Sequence, residues 1–116
     1  MGSTQFSVAL ALETGRNGLR EYWDGFKNQK IHDASSTQTT LVCEPAYGVT
    51  GRQAAVELRL KNGKVLRREQ PEPKGEPANP LTEEELSDKF TGLVKMVKGA
   101  QNLGPSLSET LMNLEK

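Results

Sequence analysis

Between Gln70 and Pro80 the chain carries Pro71, Pro73, Pro77 and Pro80, with Gly75 among them. Each proline removes a backbone donor and fixes its own φ, so neither a regular helix nor a central strand runs through such a stretch. It reads as an extended connector. The fold must therefore be assembled from a block before residue 70 and a block after residue 80. Leu, Ile, Val and Phe account for 25 of 116 residues, which suffices for one thin core and no second catalytic domain.

The block before the connector opens with Phe6-Ser7-Val8-Ala9-Leu10-Ala11-Leu12-Glu13, a run of helix formers that Gly15 can stop. Leu19, Tyr22, Trp23, Phe26 and Ile31 follow at spacings of three and four and predict a short helix or helical turn, with Tyr22 and Trp23 in the core. Asp33 to Gln38 is small and polar and reads as a loop. Thr39-Thr40-Leu41-Val42-Cys43 reads as a strand ended by Pro45, with a loop over Gly48 to Gly51. The clearest strand follows, because Val56, Leu58 and Leu60 alternate with Glu57, Arg59 and Lys61. Asn62-Gly63 predicts a two-residue type I′ turn, pairing Leu60 with Val65 and Glu57 with Arg68.

The block after the connector starts with Thr82 and Glu85 as a capping box. Leu81 and Leu86 occupy the staple positions, and Leu86, Phe90, Leu93, Val94 and Val97 form an apolar stripe that Gly99 can end. A last helix is predicted from Ser106, with Glu109 as a second capping-box partner and Leu107, Leu111 and Leu114 as its stripe. The order α, α, β, β, β, α, α predicts an α+β domain. A short antiparallel sheet with a hairpin over Val56–Arg68 packs against helices from both ends of the chain. Residues 1–4 read as a tag or disordered start, and 5–116 as a single domain.

Charge and composition exclude several functions. Lys+Arg and Asp+Glu are 15 each, giving a formal net charge of +0, so nucleic-acid binding driven by a basic excess is not expected. Lys61, Lys64, Arg67 and Arg68 make the hairpin tip basic, which reads as a solvated tip guarding an edge strand. With one cysteine and one histidine, no disulfide forms within the chain and no Cys/His zinc cage is possible. Neither a metal nor another cofactor is expected. Cys43 reads as a small buried residue in a reducing compartment. No apolar run of about 18 residues exists, and the short Phe6–Leu12 stretch lacks a basic lead-in. The expected location is cytoplasmic, away from membranes. His32, next to Asp33, reads as structural or solvated rather than as a catalytic base. Glu83–Glu85 reads as a helix-start feature. Neither a G-x-S-x-G elbow nor a P-loop is present, so these residues alone assemble no complete active site.

Two stretches do carry a family signature: Val56-Glu57-Leu58-Arg59-Leu60-Lys61-Asn62-Gly63-Lys64-Val65-Leu66, and Pro73-Lys74-Gly75-Glu76-Pro77-Ala78-Asn79-Pro80-Leu81-Thr82-Glu83-Glu84-Glu85-Leu86-Ser87-Asp88-Lys89-Phe90. Together they resemble the C-terminal part of the MmgE/PrpD family, with its strand, D/N-G turn, strand and P-K-G-x-P-x-N-P-L-[ST]-x-x-E-L-x-x-K-F run. Gln5-Phe6-Ser7-Val8 resembles the start of the family's Phe-Ser helix, and Asn113-Leu114-Glu115 its ending. The resemblance spans about Gln5 to Glu115 and is weakest from Lys30 to Arg52, where the chain looks shortened.

The resemblance implies a lid-type domain of an enzyme such as 2-methylcitrate dehydratase, cis-aconitate decarboxylase or iminodisuccinate epimerase, which work without an iron–sulfur cluster. Such enzymes act on small di- or tricarboxylates in a cleft against a large helical domain that holds most acid/base residues. The implied substrate-binding positions are Gln5, Phe6 and Lys74. The decarboxylase branch has His at the Phe6 position and many members have Lys at the Gln5 position, so no catalytic residue is expected. The domain alone is expected to be inactive. The alternative is a stand-alone binding or oligomerisation module. A small carboxylate is an expected ligand only beside a helical domain, and a homo-oligomer is a further expected partner.

Overall fold

A computed structural model of the chain describes residues 3–114. Met1, Gly2 and Glu115, which figured in the readings of the two ends, lie outside them. The order is α1 (Thr4–Thr14), α2 (Leu19–Gly25), α3 (Gln29–Thr37), a 3-10 turn (Pro45–Tyr47), β1 (Ala54–Arg59), β2 (Val65–Gln70), α4 (Glu83–Val94) and α5 (Gly104–Met112). This is an α+β arrangement, with helices on both sides of a hairpin in the sequence.

α1 starts where the Ser3 hydroxyl accepts a bond from the Phe6 N–H, and it ends at Gly15. Phe6, Ala9 and Leu10 from α1 are buried with Ile31 from α3, and Tyr22 and Ala34 pack on them half-buried. Lys30 and Glu13 pair at 2.6 Å across the α1–α3 seam. The segment read as a polar loop is helical: α3 runs to Thr37. Asn28 caps its first turn through Lys30 N–H at 3.0 Å, and Ile31 anchors it in the core. Its Ser36 and Thr37 hydroxyls bond back to carbonyls of the preceding turn, which is how these side chains find partners inside a helix that the Asn28 cap and the Ile31 anchor hold in place. Trp23, expected in the core, is 63% exposed. Its ring instead carries the Lys27 ammonium at 5.8 Å.

Thr39–Cys43 forms no strand. A strand needs a ladder, and the sheet is two-stranded, β1 against β2. Leu41 and Val42 are exposed, and so is Cys43, which overturns its reading as a buried residue. The hairpin is present with a different register: Glu57 faces Arg67, Leu58 faces Leu66 and Arg59 faces Val65. Leu60 N–H donates to Lys64 and Gly63 N–H returns to the Leu60 carbonyl. The loop is therefore Lys61-Asn62-Gly63, and the one left-handed residue, Gly63, has φ 83°. A type I′ turn needs positive φ at Asn62 as well, and no described non-glycine residue has it.

α4 forms as its capping box predicts. Thr82 Oγ1 accepts from Glu85 N–H at 3.1 Å and Glu85 Oε2 from Thr82 N–H at 2.8 Å. α5 starts earlier than Ser106, at Gly104, with Pro105 in its first turn. Its cap residue is Leu103, so no Ser106–Glu109 capping box forms. Gly104 sits against Thr91, where an added Cβ would come within 3.3 Å of the Thr91 Cα, so its bare backbone sets the α4–α5 approach.

Packing falls into three groups: α1 with α2 and α3, β1 with β2, and α4 with α5. The radius of gyration is 17.7 Å, against about 13 Å for a compact domain of this length. The apolar stripes the sequence laid down are largely uncovered. Leu86, Leu93 and Val97 are exposed along and just beyond α4, and Leu107 and Leu111 along α5.

Candidate functional site

Phe6 is the hub of the α1–α3 corner. It is 6% exposed, its ring stacks on Phe26 at 5.0 Å, and Tyr22 and His32 lean on it at 6.2 and 5.0 Å. Tyr22 Oη donates to Ser7 Oγ at 2.6 Å and fixes α2 on α1. His32 Nε2 lies 3.0 Å from the Phe26 carbonyl. A carbonyl only accepts, so Nε2 carries the proton and His32 staples α3 to the end of α2. Gln5, half-buried beside Phe6, donates its Nε2 to the Thr39 carbonyl at 3.4 Å. A shallow cleft of about 210 Å³ opens between α1, α2 and α3, with Thr14, Asp24 and Ile31 among its walls. The Arg20–Asp24 pair at its rim is 3.9 Å apart and exposed.

Lys74 belongs to a different feature. The connector is knotted: Gly75 N–H donates to the Asn79 carbonyl at 2.8 Å and Asn79 N–H to Glu76 at 2.9 Å. Asn79 Nδ2 reaches back to the Glu72 carbonyl at 2.9 Å. Gly75 has φ 99° and Glu76 is held by Arg52. The knot turns Lys74 toward α4, where its Nζ lies 3.0 Å from Glu85 Oε2. Gln5 and Phe6 thus share the first turn of α1, while Lys74 stands at the start of α4.

The sequence read the capping box and a cation at 74 separately. The structure joins them through Glu85, and Lys74 and Glu85 both belong to the Pro73–Phe90 run. Among the described residues, no group of three His, Cys, Asp or Glu side chains could hold a metal ion, and no helix is long and apolar enough to cross a membrane.

The Thr82 N–H, and after it Lys74, hold the Glu85 carboxyl below its ordinary value of 4.5. The fold therefore favours the ionised form. Its contribution is complete above pH 4.5 and fades as the pH falls through the lower, folded value. The first turn of α4 is accordingly expected to lose amide protection in acid, and Glu85→Gln to lose most of that pH dependence. Hydrogen exchange at the amides of residues 85 and 86 across that range checks it.

The fold and these features define a small α+β domain with a knotted, lysine-bearing turn ahead of a capped helix. The MmgE/PrpD C-terminal domain family matches residues 2–104, and the chain belongs to that family. Neither curated proteins nor solved structures yield a match.

Proposed function

We propose that this domain is the C-terminal, lid-type part of an MmgE/PrpD-like dehydratase, isomerase or decarboxylase acting on small di- or tricarboxylates. We propose too that it is inactive alone. The observation that carries the reading is the uncovered apolar surface of α4 and α5 on a domain of this family. Such a surface is completed by another body, here a helical domain in the same chain or another.

Removing or moving a proton next to a carboxylate needs a base, an acid and cationic grips on the substrate. Lys74 is the best cationic candidate here. Glu85 keeps its bond from Thr82 if Lys74 swings to a substrate carboxylate, so the exchange leaves the helix cap intact. Gln5 offers an amide at the α1 start, and Phe6 behind it fixes that turn.

The pure 116-residue chain is expected to leave 2-methylcitrate and cis-aconitate unchanged in a direct product assay, and turnover of either would refute inactivity alone. The same uncovered surface favours a second reading, a stand-alone binding or oligomerisation module. A family helical domain that leaves α4 and α5 uncovered would favour that reading.

A further inference from the structure

The free edge of β1 carries its own specificity. Leu60 N–H donates to Lys64, so in the antiparallel alternation Val56, Leu58 and Leu60 turn their backbone groups toward β2, and Ala55, Glu57 and Arg59 turn theirs outward. Among the described residues, no backbone bond from outside the ladder reaches Ala54–Arg59.

We propose that this edge pairs with the same edge of a second copy, giving a four-stranded antiparallel sheet with a two-fold axis at Leu58. Outward groups must meet outward groups, so the axis passes through residue 56, 57 or 58. An axis at Glu57 sets that carboxylate against itself. An axis at Val56 sets Glu57 against the partner's Ala55 and leaves Arg59 without a carboxylate. An axis at Leu58 sets Glu57 against the partner's Arg59 twice over, Val56 against the partner's Leu60, and Leu58 against the partner's Leu58. Opposite charges then meet on one face and apolar residues on the other. Arg59 Nε already lies 3.0 Å from Glu57 Oε1 along the strand, so both side chains occupy that one face.

The β2 edge is guarded against the same pairing. Its outward residues are Val65, Arg67 and Glu69. The register that matches Arg67 to the partner's Glu69 also sets Arg68 against its own copy. Pairing through the β1 edge leaves the α4 and α5 faces free, so the dimer is compatible with the helical-domain reading and independent of it.

Sedimentation of the full 116-residue chain tests the pairing. One strand pair is a small interface, so a reversible dimer is expected at roughly micromolar to millimolar chain. Glu57→Arg and Arg59→Glu are each expected to weaken it by about tenfold or more, because like charges then face each other twice. The double variant E57R/R59E is expected to restore it. A chain that stays monomeric up to roughly 1 mM overturns the proposal, as does a dimer that E57R leaves unchanged. Should E57R alone fail to fold, Leu58→Cys in a Cys43→Ser background decides. The axis pair is close enough for a disulfide, so oxidation yields a linked dimer if the register holds. Failure to link overturns it.

Discussion

Phe6→Ala is expected to open the α1–α3 corner while leaving the hairpin and α4 in place. Burial of a large aromatic side chain is worth about 3–5 kcal/mol on truncation. Phe6 is where α1, α2 and α3 meet: its ring contacts Phe26, Tyr22 and His32, and it shares the core with Ala9, Leu10 and Ile31. With so few buried members, the remaining contacts cannot hold three short helices together. Amide exchange should show α1 and α3 losing protection together, while β1, β2 and α4 keep theirs, because packing runs within the three groups more than between them. Phe6→Leu, which keeps apolar volume, should lose far less. A global, single-step loss of protection would contradict the division into groups.

The second large effect is expected at the connector. Gly75 holds φ 99°, a conformation that a β-branched residue adopts only under strain. A Cβ added there would meet open space, so the cost of Gly75→Val is conformational rather than steric, about 1–3 kcal/mol. Relief of the strain breaks the Gly75–Asn79 bond, frees Asn79 from Glu72 and lets Lys74 drift from Glu85. NMR shifts should change from residue 72 to about the first turn of α4 and not in α1–α3. Gly75→Ala is expected to show the same pattern more weakly. Shifts spread across the whole chain would contradict this account.

The parts of the fold legible in the sequence are those where local chemistry and tertiary packing agree. The Thr82–Glu85 capping box needs nothing beyond its own turn, and it forms. The hairpin exists where alternation and Asn62-Gly63 place it. Its register was not legible, because the same two residues fit a two-residue type I′ loop or a three-residue loop with Gly63 left-handed. Only the backbone of Asn62 separates them. Thr39–Cys43 has the composition of a strand but no ladder to join. Asp33–Gln38 has the composition of a loop, but Asp33–Thr37 is held helical by the Asn28 cap and the Ile31 anchor. At the site, Lys74 was visible as a cation, and its bond to Glu85 emerges only once the Gly75–Asn79 knot turns the chain back. The family signature at Pro73–Leu86 is therefore in large part the residue set this knot and cap require.

On the proposed reading, the exposed apolar faces of α4 and α5 dock on a helical domain of the same family. The direct test is hydrogen exchange at Leu86, Leu93, Leu107 and Leu111 in the 116-residue chain, alone and with an MmgE/PrpD helical domain supplied in trans. A marked gain in protection on mixing is expected, concentrated in α4 and α5. Protection that the helical domain leaves unchanged would contradict the docking.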